Sequence, residues 1–218
     1  ICLARHFPGF DLAYSPFLST VAGDRIRPAH LADVMPGANG ALPLVPQVIG
    51  KSPAAFKTLL CALRDVGYAR CDLNAGCPWP MIVKRGRGAG LLRDPSTLFA
   101  MLDAGCEVFP HGLSLKTRLG VAGAGELLRL MDRINGYPLA ALAVHARTAA
   151  QMYEGQVDPD RFGEIAEAAR MPIYYNGDIS STQDLERLSV RFPNVAGFMI
   201  GRGAIRDPSI AARARGAE

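Results

Sequence analysis

The chain has 218 residues, 49% of them hydrophobic and 20% charged, with a net charge of +4. That is enough for one substantial core, too little for two ordinary α/β domains, and too apolar for a disordered segment. No apolar run approaches the roughly 18 residues of a membrane helix, and the start carries no basic-then-apolar leader. Only Lys51, Lys57, Lys84 and Lys116 are lysines among the 24 cations, so arginine dominates. That excess reads first as the mark of a GC-rich genome and second as a phosphate-reading surface. Five cysteines (Cys2, Cys61, Cys71, Cys77 and Cys106) include no CxxC pair. The odd count without a secretion signal predicts free thiols, a reducing cytoplasmic setting and no structural zinc.

In chain order, Asp11–Phe17 reads as a strand and Asp33–Leu42 as a Gly/Pro/Asn loop. Strand Leu44–Ile49, carrying Gln47, leads to helix Pro53–Val66 and strand Tyr68–Leu73, after which come Asn74 and Cys77. A helix opens at Asp94-Pro95 and continues over Ser96–Ala104, with proline in its first turn. Strand Gly112–Lys116, helix Ala124–Asn135 and strand Ala140–Val144 follow, with Lys116 and Arg118, then His145 and Arg147, at the two strand ends. Helix Pro159–Ala169, strand Pro172–Tyr175, helix Thr182–Phe192 and strand Val195–Ile200 complete the series, and Ser181 with Asp184 marks a helix start. Alternating βα units leave a doubly wound open sheet or a (β/α)₈ barrel one strand short. Polar residues at the ends of six consecutive strands favour the barrel, since an open sheet concentrates its site at one switch point.

Several residues carry candidate chemistry. Asn176-Gly177-Asp178 and Gly201-Arg202-Gly203, after the last two strands, form a phosphate site or two ordinary turns; their adjacency favours phosphate. Lys116 and His145 share a rim where a buried lysine needs an anion or polar ring, whereas His6, His30 and His111 read as structural, hydrogen-bonded histidines. Cys77, alone of the cysteines, occupies a loop over the mouth, where a thiol can act as acid or nucleophile. The run Lys84–Arg93 reads as a mobile basic lid or as a solvated arginine-rich loop.

The run Asp72-Leu73-Asn74-Ala75-Gly76-Cys77-Pro78, followed by Lys84 to Pro95, resembles the signature of the tRNA-dihydrouridine synthases. Collinear with it are Ser114 to Gly120, Val144 to Thr148, Gln151 to Gly155, Asn176 to Ile179 and Met199 to Ala204, so the resemblance spans nearly the whole chain. It implies an FMN-dependent TIM barrel that reduces uridine in tRNA at the expense of NADPH, in the cytoplasm, with no metal. Carried over, Gln47, Lys116 and His145 contact the flavin ring or ribityl chain, and Asn176, Gly177, Asp178, Gly201 and Arg202 hold its phosphate end. Cys77 is the catalytic acid that protonates C5 after hydride reaches C6, and Asn74, Arg147 and Tyr153 face the uracil. Lys84, Arg85 and Arg87 meet tRNA phosphate. The family's opening strand with an Ala-Pro-Met type motif and its closing helical domain have no counterpart here, and Ile1–Phe10 resembles the tail of the family's first helix. The expected unit is therefore a single catalytic domain over residues 1–218, truncated at both ends, its barrel lacking the first strand. A dihydroorotate-dehydrogenase-like flavoenzyme and a non-catalytic RNA-binding remnant are the alternatives.

Overall fold

A computed structural model describes residues 6–21, 26–36 and 42–216. Cys2, the first half of the predicted Ile1–Phe10 helix tail and most of the second half of the Asp33–Leu42 loop lie outside the described residues. The strands are β1 (Ala13–Tyr14), β2 (Leu18–Ser19), β3 (Leu44–Val45), β4 (Gln47–Ile49), β5 (Cys71–Ala75), β6 (Leu113–Gly120), β7 (Ala141–Thr148), β8 (Ile173–Asn176) and β9 (Gly197–Met199). Of the expected strand Asp11–Phe17 only Ala13–Tyr14 forms, with β2 following beyond both Pro16 and the predicted end, and Leu44–Ile49 is split at Pro46. Proline has no N–H to donate to a ladder, so each run breaks where it stands. Ser15 bridges one gap, its Oγ accepting from the Gln47 N–H at 3.0 Å.

All pairings are parallel; β1 pairs with β3, and the seven-stranded sheet runs β2-β4-β5-β6-β7-β8-β9. That order follows the chain without reversal. A doubly wound sheet reverses at its switch point, so the winding is that of a (β/α) barrel. Among the described residues β2 and β9 do not pair with each other, which leaves the barrel wall open between them.

Helices α1 (Pro53–Asp65) and α3 (Pro95–Val108) begin as expected, with Ser52 and Asp94 capping Ala55 and Thr97 N–H and proline in the first turn. Helices α5 (Pro159–Ala168) and α6 (Thr182–Arg191) match their predicted spans to within a residue, and Ser181 and Asp184 form a reciprocal capping box. The expected helix Ala124–Asn135 shrinks to a 3₁₀ turn at Leu128–Leu130 and α4 (Met131–Ile134). The cause is Glu126, whose carboxylate accepts the N–H groups of Val121, Ala122 and Gly123 at 2.7, 3.2 and 2.8 Å and draws the segment into a loop. Three short helices escaped the sequence reading: α2 (Pro80–Lys84), α7 (Arg202–Arg206) and α8 (Ile210–Ala214).

Strands β5, β6 and β7 extend beyond their predicted carboxyl ends. Tyr68 belongs to the end of α1, where Gly67 (φ 102°) closes the helix and the Tyr68 N–H returns to the Leu63 carbonyl. Asn74, Arg118, His145 and Arg147 therefore lie inside strands rather than past them. The alternation is regular: Cys71, Leu73, Leu113, Leu115, Leu142 and Val144 pack outward into the core beneath the helices, while Asn74, Lys116, Arg118, His145 and Arg147 point inward to a cavity. His6, His30 and His111, expected as hydrogen-bonded structural residues, are exposed.

Candidate active site

A hydrogen-bonded relay climbs from the barrel floor to Cys77. On β6, Ser114 Oγ donates to Asp72 Oδ1 at 2.6 Å. Gln47 Nε2 donates to Asp72 Oδ2 at 2.8 Å, and Asn74 Nδ2 donates to Gln47 Oε1 at 2.7 Å. Asn74 Oδ1 then accepts the backbone N–H groups of Gly76 and Cys77 at 3.0 and 2.9 Å. Both ends fix the sense of the chain: an ionised carboxylate only accepts, and a backbone N–H only donates. Gln47 must turn its NH₂ to Asp72, and Asn74 its oxygen to the loop. Each amide keeps one further N–H, so this wall can offer donors to a ligand.

The Cys77 loop is packed as tightly as it is bonded. Cys77 is 8% exposed and lines the cavity. Its carbonyl accepts from the Ala89 N–H, and a Cβ at Gly88 (φ +55°) would stand 2.8 Å from both its Cβ and its oxygen. Gly88 to Leu92 are all buried in a 3₁₀ turn, Gly88–Arg93. The segment Lys84–Arg93 is consequently neither a lid nor a solvated loop; its second half is the packing floor of Cys77. Lys84, Arg85 and Arg93 are exposed and Arg87 half-buried, all apart from the cavity lining.

Lys116 Nζ makes no hydrogen bond or ion pair among the described residues. Burial pulls its pKa down to about 8, against the opposing pull of Asp72. Burial, reinforced by Arg118, Lys116, Arg147 and Arg202, drives His145 down to about 2, so its ring is neutral. Asp72 is pushed up to about 6 by burial, while Ser114, Gln47 and Lys116 oppose the rise.

Two buried arginines brace the rim. Arg118 donates from Nε to the Gly76 carbonyl at 2.9 Å and from Nη1 to those of Thr148 and Met152 at 2.9 and 2.7 Å, which ties the Cys77 loop to the loop after β7. Arg147 donates to the Glu154 and Gly155 carbonyls, forms a two-pronged pair with Asp178 and stands 3.4 Å from His145 Nε2. Its guanidinium is thereby held on several sides by the protein at the cavity wall it lines. Tyr153 is exposed and lies between the guanidinium groups of Arg118 (5.2 Å) and Arg202 (4.8 Å), its ring 6.1 Å from that of His145.

Asn176 Nδ2 donates to the Met199 carbonyl at 2.7 Å and joins β8 to β9. Gly177 (φ +143°) and Asp178 (φ 45°) turn the chain back, and Asp178 also pairs with Arg202 at 3.1 Å. A Cβ at Gly203 would lie 2.0 Å from the Ile179 carbonyl oxygen, so only glycine allows the two turns to touch. At Gly201 an added Cβ would meet nothing within 4 Å, so that backbone stands open to the cavity it lines.

The cavity has a volume of about 1210 Å³ and collects Gln47, Asn74, Cys77, Lys116, His145, Arg147, Tyr153, Asn176, Gly177, Asp178, Gly201 and Arg202 on one surface. Of the predicted site residues only Lys84, Arg85 and Arg87 fall outside it. The sequence reading missed Asp72, Ser114 and Gly88 as parts of the site, and did not make Arg118 one. The signal for three of them was the period-two run of polar residues, Asp72/Asn74 and Ser114/Lys116/Arg118, inside otherwise apolar strands. Among the described residues no cluster of three or more His, Cys, Asp or Glu could hold a metal ion, and no helix is long and apolar enough to cross a membrane.

The family described as Dihydrouridine synthase matches residues 1–217. A tRNA-dihydrouridine(16) synthase of Cupriavidus necator is 29% identical over 215 residues, covering 95% of this chain and 66% of the relative. One of Ralstonia nicotianae is 32% identical over 179 residues, covering 80% and 54%. A probable tRNA-dihydrouridine synthase of Treponema pallidum is 30% identical, covering 75% and 51%. The chain thus spans about half to two thirds of the length of these relatives. Among solved structures, a morphinone reductase aligns with a TM-score of 0.58 at 14% identity, over 76% of this chain and 49% of its own. A Proteus mirabilis N-acetylneuraminate lyase aligns at 0.53 with 13% identity, over 94% and 67%. These likenesses are of fold.

Proposed function

The chain belongs to the dihydrouridine synthase family, and we propose from that premise that the protein reduces uridine to 5,6-dihydrouridine in tRNA, with FMN as bound cofactor and NADPH as reductant, in the cytoplasm. Residues 1–218 are read as its catalytic domain. The observation that carries the reading is the convergence of Gln47, Asn74, Lys116 and His145 on one cavity with the thiol-bearing loop of Cys77 at its edge.

The residues fit the cofactor. Lys116 has a half-buried ammonium with no hydrogen-bonded anion among the described residues, which suits an electron-rich ring oxygen or nitrogen. The Gln47 amide and the neutral His145 ring add polar contacts on the same wall. Gly201 leaves its backbone open to a phosphate, with Arg202 for charge, and Gly203 lets that turn close against Ile179. FMN, when bound, supplies the two-electron reduction of the uracil C5–C6 bond.

The rest falls to the chain. Asn74 turns its remaining N–H toward the cavity, where it meets an acceptor such as a uracil carbonyl oxygen. Cys77 holds its proton on a loop tied down by Asn74, Arg118 and the Gly88 contact, and delivers it to C5. Arg147 acts by positioning: it fixes Asp178 and the backbone under Tyr153 and leaves the tyrosine ring to border the base. The target uridine leaves its stack to reach this depth.

The test is the visible spectrum of the purified protein, before and after addition of FMN and then NADPH, followed by dihydrouridine analysis of tRNA. A flavin band that bleaches with NADPH, and dihydrouridine that depends on both, is the expected result. Turnover of free pyrimidines without tRNA would replace this reading by a small-molecule reductase, and tRNA binding without flavin would replace it by a non-catalytic RNA binder.

A further inference from the structure

Immediately beyond Cys77 stands the chain's single tryptophan, Trp79, in the sequence Cys77-Pro78-Trp79-Pro80-Met81. Burial is the usual fate of so large an apolar side chain, yet Trp79 is 60% exposed and Met81, two residues on, 64%. Among the described residues its ring has no partner in ring stacking or cation–π contact. Nor is it left loose. Pro80 excludes the helical conformation for the residue before it, and Trp79 accordingly sits at φ −53°, ψ 126°, with its carbonyl accepting the N–H groups of Ile82 and Val83. The backbone is fixed in advance, and the indole is presented at small further entropic cost.

The segment that follows it is cationic. Lys84 ends the short helix and Arg85 caps it, both exposed, Met81 and Lys84 being one turn apart. Arg87 comes next, and the Lys51 side chain reaches within 3.7 Å of a Cβ placed at Gly86. None of these four cations takes part in an ion pair among the described residues, whereas Lys57, Arg64, Arg147, Arg161, Arg187, Arg191, Arg202, Arg213 and Arg215 all do. An exposed aromatic side chain on one short segment with unpaired cations is complementary to single-stranded nucleic acid, which brings both a stacking surface and a charged backbone.

We infer that Trp79 is a stacking platform for the unstacked nucleotide next to the uridine that enters the cavity, with Lys51, Lys84, Arg85 and Arg87 drawing its phosphates alongside. The inference rests on the reading that RNA is the substrate. It adds a base-contacting residue outside the cavity and assigns the basic segment a local task, to hold one flank of the flipped base.

Because Trp79 is the only tryptophan of the chain, its fluorescence reports this patch alone. Titrating the flavin-loaded protein with a short oligouridine should give saturable quenching that weakens as salt rises, and a blunt duplex RNA should quench far less. By labelled-oligouridine anisotropy, Trp79→Ala should lose roughly tenfold in affinity and Trp79→Phe no more than about threefold, since a phenyl ring still stacks. Absence of quenching, or oligouridine affinity unchanged in Trp79→Ala, overturns the inference. So does a fluorescence change that follows protein concentration alone, which would mean that a second copy covers the patch. Dihydrouridine formation separates the two levels. If it persists while Trp79→Ala binds RNA normally, the reductase stands and the platform falls; if Trp79 is quenched but no dihydrouridine forms, the platform stands and the reductase falls.

Discussion

Strands β5 to β7 and strands β8 to β9 line the same cavity but are held by different forces. Every residue of β5 and β7 is buried, as is all of β6 except Lys116, whereas β8 alternates buried with half-buried residues and β9 is half-buried throughout. The first sector carries Cys77, and its Ser114, Asp72 and Asn74 join with Gln47 of β4 in a relay that ends on the Cys77 backbone. The second carries the glycine turns, and an ion-pair network of Arg147, Asp178 and Arg202 joins them across a partly exposed surface. A proton donor must stay within a fraction of an ångström of its target, while a phosphate-binding turn needs open backbone and charge. The difference between the sectors follows that division of labour.

The largest expected effect lies in the first sector. Cys77→Ala should lower dihydrouridine formation by about 10²- to 10⁴-fold, the range of general acid catalysis, with FMN retention unchanged. Loss of the flavin in this variant would mean that the sectors are not separable, because Cys77 would be supporting the cofactor.

A pair of glycine substitutions sharpens the contrast further. An added methyl at Gly88 meets Cys77 Cβ and oxygen at 2.8 Å in a left-handed conformation, and one at Gly203 meets the Ile179 oxygen at 2.0 Å. Each overpacks a backbone contact and should cost on the order of 1–3 kcal/mol or more. Gly88→Ala should alter the rate at which iodoacetamide alkylates Cys77 while FMN still binds. Gly203→Ala should release FMN and leave Cys77 alkylation as it was. The same change in both readouts for both variants would erase the distinction.

How much of this was legible beforehand also divides by sector. The barrel winding, the Ser181/Asp184 cap and the rim positions of His145 and Asn176 could be read because each depends on local pattern: strand-helix alternation, a capping spacing, polar residues where an apolar run stops. The relay could not be read that way. Asp72 and Ser114 are 42 positions apart in sequence, and only the register that sets Asp72 beside Ser114 and Gln47 brings the three together. Lys84–Arg93 misled for a related reason. Its composition is that of an exposed basic loop, but Gly88 and Gly90 are small because Cys77 and Val83 press on them, a fact of packing that composition does not record. The carbonyl and carboxylate partners of Arg147, 7 to 31 positions away, are likewise set by the fold.

Titration offers a milder probe of the first sector, in the absence of ligand. Asp72 holds its proton more tightly folded than unfolded, about 6 against 3.8, so its contribution to stability falls as pH rises across that interval. Lys116 has the opposite sense: with a pKa of about 8 against 10.5, it costs stability below 8 and relieves that cost as pH rises toward 10.5. His145, at about 2 against 6.5, adds stability as pH climbs between those values. Urea midpoints of Asp72→Asn should therefore gain on the parent protein between pH 4 and 6 and hold that gain above it. The advantage of Lys116→Met at neutral pH should shrink above pH 8. Parallel curves at all pH values would mean that these charges are solvated and that the sector is less closed than its burial indicates.

The smallest effects belong to single exposed cations, and they distinguish what each sector binds. Lys84 and Arg202 are both exposed, but Lys84 ends the short helix that Trp79 caps and stands apart from the cavity lining, and Arg202 lines the cavity in the second sector. If Lys84 meets only RNA phosphate, Lys84→Ala should reduce the slope of log affinity for tRNA against log salt by about 1 and leave FMN affinity unchanged. Arg202→Ala should weaken FMN and leave that slope unaltered, because its charge is committed to Asp178 and the cofactor's phosphate rather than to the RNA backbone. A slope that drops equally in both variants would place tRNA phosphate over the glycine turns as well, and the two sectors would then share the substrate instead of dividing it from the cofactor.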